Sequence, residues 1–122
     1  MGKRVLVIED EPNIIEALSF ILSRDGWTVH THADGLNANE RIRATPPDLV
    51  ILDVMLPGKS GFDILRDLRA DPDMRALPVL MLTARGQTRD RELAEKLGVN
   101  RFITKPFSNA EVIENVRALV AG

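Results

Sequence analysis

Apolar and polar residues are grouped along this chain in short blocks rather than scattered. Val5-Leu6-Val7-Ile8 is a mostly β-branched run with no charge inside it, as a strand buried on both faces requires. Pro12 suits a first helical turn. Ile15, Leu18 and Leu22 then recur at helical spacing to about Arg24, where Asp25-Gly26 ends the helix. Trp27-Thr28-Val29-His30-Thr31 predicts a second strand. Asp34-Gly35 opens a second helix that runs to about Ala44 and ends at Thr45-Pro46-Pro47. Asn37 and Asn39 weaken it, and Leu36, Ala38 and Ile42 are its apolar stripe. Leu49 to Leu52 predicts the third strand, bounded by the turn residues Pro57-Gly58. Ser60 is the N-cap of a third helix reaching Ala70, with Asp63 three residues on as an approximate capping box. Pro78 to Leu82 predicts the fourth strand, Thr88 to Leu97 a helix stopped by Gly98, and Phe102-Ile103 a short fifth strand. Ser108 caps a last helix to Leu119.

Strict alternation of strands and helices implies βαβ units, hence a parallel sheet covered on both faces with right-handed crossovers. No linker, repeat or low-complexity segment interrupts the rhythm. The expectation is one α/β domain of (βα)5 type using all 122 residues.

Composition narrows the function. With 44% hydrophobic residues the chain can bury a core and is not a disordered tail. A net charge of -2 argues against direct nucleic-acid or anionic-membrane binding, which need a basic face. The chain has no cysteine, so disulfides, thiolate catalysis and Cys-ligated zinc are excluded. No apolar run is long enough to span a bilayer. The four residues after Lys3-Arg4 are too few for a signal-peptide core, and acidic residues follow at once. A cytoplasmic protein is expected.

Ligands of open parallel sheets bind at the carboxyl ends of the strands. Glu9-Asp10 follows the first strand, Asp53 the third, Thr83-Ala84 the fourth and Lys105-Pro106 the fifth. Carboxylates gathered at one rim repel one another by about 4 kcal/mol per pair at 4 Å and an effective dielectric near 20. They must take up protons or hold a hard cation, and Mg2+ accepts oxygen ligands and favours sites completed by phosphate. With a cation present, Asp53 can stay ionised and attack phosphorus to give an aspartyl phosphate. Thr83 can hydrogen-bond a phosphoryl oxygen, and Lys105 can neutralise charge in the transition state. Each residue alone has a plainer explanation: a helix N-terminus for Glu9 and Asp10, a turn for Asp53, a structural hydroxyl for Thr83, a solvated side chain for Lys105. The four explanations are independent, and together they do not account for these residue types at one rim. His30 and His32, two apart on a strand-like segment, are expected at the surface rather than on a metal. Trp27 is expected to cover the edge of the core.

In these stretches the chain resembles the receiver domains of two-component response regulators. The likeness rests on Val5 to Pro12, on Pro47 to Pro57 with Gly61 beyond, on Leu82-Thr83-Ala84, and on Phe102-Ile103-Thr104-Lys105-Pro106-Phe107. It implies a flavodoxin-like sheet with strand order 2-1-3-4-5, the order the chemotaxis regulator exemplifies. It further implies that Asp53 takes a phosphoryl group from a phosphohistidine on a sensor histidine kinase or phosphotransfer protein. Mg2+ would be held by Glu9, Asp10, Asp53 and the Met55 backbone carbonyl, with Thr83 and Lys105 on the phosphoryl group. Thr83 and Phe102 would be the switch pair, and the Lys105-Pro106 bond would be cis. Such a domain is a phosphoacceptor that assists its own chemistry, not a conventional enzyme, and it acts on a downstream effector protein. The face formed by the fourth helix, fifth strand and fifth helix is the expected signalling surface.

Some positions depart from the family pattern. Val99-Asn100-Arg101 stands where many receivers carry Ala-Asp-Asp, which removes acidic residues of one known dimer face, so a monomer or a weak phosphorylation-dependent dimer is expected. Asn39 and Arg41 replace apolar residues of the second helix, so that helix is expected to pack loosely or to bind something. Met55 and Arg85 occupy the positions two beyond Asp53 and Thr83 that tune phosphoryl hydrolysis. Three alternatives fit these residues less well. Haloacid-dehalogenase-like phosphohydrolases place a second Asp where Met55 stands, and their acidic pair comes late in the chain. A receiver fold that serves only as an interaction module would not need all five of Glu9, Asp10, Asp53, Thr83 and Lys105. Dinucleotide binding lacks its Gly-x-Gly-x-x-Gly after the first strand. A chain of this length leaves no room for an effector domain, so it acts by binding a target or is part of a longer protein.

Overall fold

The uncharged runs become the inner strands of a parallel sheet because nothing in them needs water on either face. A computed structural model describes residues 3–84 and 88–120. The elements run β1 (Arg4–Ile8), α1 (Pro12–Arg24), β2 (Thr28–His32), α2 (Ala38–Ala44), β3 (Leu49–Asp53), α3 (Gly61–Ala70), β4 (Val79–Ala84), α4 (Thr88–Lys96), β5 (Arg101–Lys105) and α5 (Asn109–Val120). The sheet is parallel, in the order β2-β1-β3-β4-β5. All five residues of β3, the central strand, are buried. The two faces carry separate cores. One joins Val5, Val7, Leu49, Ile51, Leu80 and Leu82 to α1 and α5; the other joins Leu6, Ile8, Val50, Leu52, Val79 and Met81 to α2, α3 and α4. Trp27 is buried in the first of these cores.

The expected caps form. Ser60 Oγ accepts from the Asp63 N–H at 3.2 Å. Ser108 and Glu111 bond reciprocally at 3.1 Å in both directions, a full capping box. Gly26 and Gly98 end α1 and α4 with φ of 94° and 91°.

Three expectations need correction. The second helix begins at Ala38, not at Asp34-Gly35. Asp34 Oδ1 instead accepts from the Leu36 N–H at 3.0 Å, and the Gly35 N–H donates to Pro57 at 2.9 Å, so turn chemistry displaces the first helical turn. Leu36 consequently lies outside the apolar stripe and is exposed. Second, β5 spans Arg101–Lys105 rather than two residues. Third, His30 and His32 are half-buried rather than at the surface, with His32 Nε2 3.6 Å from Asp34 Oδ1. Smaller shifts move β2 to Thr28–His32 and extend β3 and β4 to Asp53 and Ala84. The weakness of α2 is offset by polar ties: Asn39 Nδ2 donates to the Ile64 carbonyl at 3.3 Å, and Lys59 Nζ donates to Asn39 Oδ1 at 2.9 Å. Arg85 lies outside the described residues.

The departure at Asn100 has a structural role. Its Oδ1 accepts from the buried Val79 N–H at 2.8 Å and from Arg69 Nη2 at 2.7 Å. Arg69 also donates to the carbonyls of Gly98 and Leu77, tying α3 to the ends of α4 and β4. Asn100→Ala strands a buried N–H and is expected to destabilise the fold by about 1–3 kcal/mol, read as a lower urea midpoint with an unchanged m-value.

Candidate functional site: the carboxyl rim of the sheet

Because β1 and β3 are neighbours in register, Ile8 beside Leu52, the residues that follow them meet at one rim. Glu9 is fully buried there. Its Oε2 accepts from the Asp10 and Glu11 N–H groups, both at 3.1 Å, at the entry to α1. These donors precede α1, whose first turn has no side-chain cap, so Glu9 braces the loop into the helix rather than the helix end, and this accounts for one of its two oxygens. The other, Oε1, is buried and has no hydrogen-bond partner. It lies 2.9 Å from Lys105 Nζ, near enough to pair charges but at an angle that makes no hydrogen bond.

Asp53 ends β3 and is 3% exposed. Gly61, at the start of α3, lets the chain pass directly over it: a Cβ there would collide with the Asp53 carbonyl oxygen and crowd Val54. The Gly61 N–H donates to the Val54 carbonyl at 2.9 Å and fixes the turn. Lys105 arrives at the end of β5, and the peptide bond that follows it to Pro106 is cis. Its ammonium reaches Glu11 Oε1 at 3.0 Å and Asp53 Oδ1 at 3.4 Å.

One oxygen each from Glu9, Asp10 and Asp53 lies within 4.8 Å of the others. With Glu11 the rim holds four carboxylates against the one ammonium of Lys105, an excess of three negative charges when all are ionised. The Asp53 carboxyl is pushed up from 3.8 to about 7, first by burial and then by the Glu9 charge, with Lys105 opposing. Burial pulls the Lys105 ammonium down, but Glu9, Glu11 and Asp53 outweigh it and its affinity for the proton rises. An uncapped buried oxygen, a second buried carboxylate and an exposed third suit a small hard cation with some water left on it.

The remaining expected residues sit around this cluster. Thr83 is buried on β4, one residue past Leu82, which pairs with Asp53. Its hydroxyl donates to Asp90 Oδ2 of α4 at 3.0 Å. Phe102 is half-buried on β5 beside Met81. Met55 lies in the loop after β3 and is 76% exposed. Sequence reasoning missed Glu11 as a partner of Lys105, although it stands two residues beyond Glu9. It also missed Asp90, whose only sequence signal is an acid in the first turn of a helix. Among the described residues, neither histidine joins a cluster of metal-ligating side chains.

The model of the response regulator receiver domain family matches residues 5–117. Solved structures agree. A putative response regulator from Chloroflexus aurantiacus superposes with a TM-score of 0.96 at 31% identity, over 100% of both chains. The receiver domain of a signal transduction histidine kinase from Syntrophus aciditrophicus gives 0.92 at 33% identity, over 99% of this chain and 92% of that one. The receiver domain of a sensor histidine kinase from Pseudomonas aeruginosa, which has a magnesium ion coordinated in its active site cleft, gives 0.91 at 29% identity over 100% of both.

The raised Asp53 pKa fixes a sign. The folded protein holds this proton more tightly than the unfolded chain, so the stabilisation is complete below about pH 4 and is lost as pH rises to about 7. In metal-free protein, Asp53→Asn is expected to raise stability by on the order of 2–4 kcal/mol at neutral pH, with the gain shrinking toward pH 4. Thermal melts across that range check it; a gain that does not change with pH contradicts it.

Proposed function

The chain belongs to the response regulator receiver family of two-component systems, and from that premise we propose that it is a Mg2+-dependent phosphoacceptor working through Asp53. The observation that carries the reading is the cluster of Glu9, Asp10 and Asp53 oxygens within 4.8 Å of one another, with the buried Glu9 Oε1 free of hydrogen bonds and Lys105 the cation beside it. Glu9, Asp10, Asp53 and the Met55 carbonyl would hold the cation. When bound, it would offset charge on the carboxylates and on an incoming phosphoryl group.

In the transfer, an Asp53 carboxylate oxygen attacks phosphorus of a phosphohistidine. The new O–P bond forms as the P–N bond breaks, and the imidazole nitrogen keeps the electron pair. Lys105, held at the rim by Glu9 and Glu11, neutralises charge on the phosphoryl oxygens. The Thr83 hydroxyl donates to one of them, and Phe102 follows Thr83. The resulting surface change favours one of two states that exist beforehand and so controls a partner protein. The kinase or phosphotransfer protein that supplies the group, and the effector that responds, are the partners this reading requires.

Intact-mass measurement after incubation with Mg2+ and a small acyl phosphate tests it. Wild type is expected to gain one phosphate, Asp53→Asn none, and chelation of Mg2+ is expected to abolish the gain. Phosphate on both proteins, or on neither, overturns the reading. The exposed thioether of Met55 is a poor hydrogen-bond acceptor and cannot orient an attacking water. The phosphoryl group is therefore expected to persist well beyond seconds in the purified protein, and decay within seconds contradicts that expectation.

A further inference from the structure

Two adjacent residues of α4 engage both switch positions. Asp90 Oδ2 accepts the Thr83 hydroxyl at 3.0 Å, and the Arg91 guanidinium stands 5.3 Å from the centroid of the Phe102 ring. One turn of α4 thus touches β4 and β5 at the two side chains expected to move on phosphorylation. Apolar packing holds this helix weakly: of its nine residues Ala94 is the buried one.

A threonine hydroxyl has one proton to donate. While Asp90 accepts it, Thr83 cannot give it to a phosphoryl oxygen on Asp53. An acid in the first turn of a helix is explained by the helix dipole, but the dipole does not explain why its oxygen accepts a hydroxyl from another strand. We propose that Asp90 is a positioning residue that holds the Thr83 hydroxyl in the phosphate-free state. Phosphorylation must then break the Thr83–Asp90 hydrogen bond, which frees the first turn of α4 from β4. Arg91 ties the same turn to β5, so the release is felt at Phe102. The inference rests on the reading of Asp53 as phosphoacceptor and adds the element that resists the switch.

The test compares wild type, Asp90→Ala, Thr83→Ala and the double variant, with Mg2+ and a small acyl phosphate, by the rate of phosphate gain in intact mass. Asp90→Ala is expected to gain phosphate about three- to tenfold faster than wild type, with less than about twofold acceleration left in the Thr83→Ala background. No acceleration overturns the proposal. Equal acceleration in both backgrounds also overturns it, because it would report charge repulsion rather than the hydrogen bond. A second measurement needs neither phosphate nor metal. Thr83→Ala, on a different element, is expected to speed amide hydrogen exchange several-fold at Glu92 and Leu93, whose helical N–H groups bond back to first-turn carbonyls of α4; unchanged protection overturns the proposal. A wild type that gains no phosphate, or an Asp53→Asn protein that gains as much, refutes the phosphoacceptor reading itself and the Asp90 role with it.

Discussion

The ion pairs from Lys105 to Glu9, Glu11 and Asp53 join three stretches of chain far apart in sequence, Lys105 and Glu11 being separated by 94 residues. Among the described residues, every ion pair these carboxylates make is made with Lys105. Such a cluster can exist only if the sheet brings the ends of β1, β3 and β5 to one edge, and the order β2-β1-β3-β4-β5 does so. The dependence also runs the other way. Two buried carboxylates at the end of the central strands would be costly without a cation beside them, so the fold tolerates its own rim through Lys105. One ammonium does not balance four acids, and that shortfall is the electrostatic feature on which the proposed cation site rests.

The hydrophobic architecture serves the same end. Residues of alternating parity on β1, β3 and β4 fill two separate cores, so the inner strands are held from both faces. That rigidity fixes where Glu9 and Asp53 stand. At the periphery, Asp90 reaches Thr83 from α4 through a single hydrogen bond.

Much of this was legible in the chain because buried parallel strands carry an uninterrupted apolar signal and the rim residues follow those strands directly. Glu9, Asp10, Asp53 and Lys105 could be placed together from strand ends alone. The start of α2 could not, since the Asp34 side chain competes for the backbone in a way that periodicity does not register. The fifth strand was underestimated because its edge position leaves Arg101 and Thr104 exposed, so polar residues hide its length. The bonds of Asn100 to Val79 and Arg69 were equally hidden, being contacts between elements distant in sequence. Its change of residue type was visible; its purpose was not.

The same limit applies at Asp90, which lies on the helix that buries least. α3 buries Gly61, Ile64, Leu65 and Leu68, whereas α4 buries Ala94. A helix with so little apolar area must be positioned by polar and cation–π contacts, each worth about 1 kcal/mol. Contacts of that size can be exchanged for others of similar strength, whereas a packed apolar seam cannot be reopened at comparable cost. The part of the molecule nearest Thr83 and Phe102 is therefore also the part whose position is decided by a few replaceable bonds, the Thr83–Asp90 hydrogen bond among them.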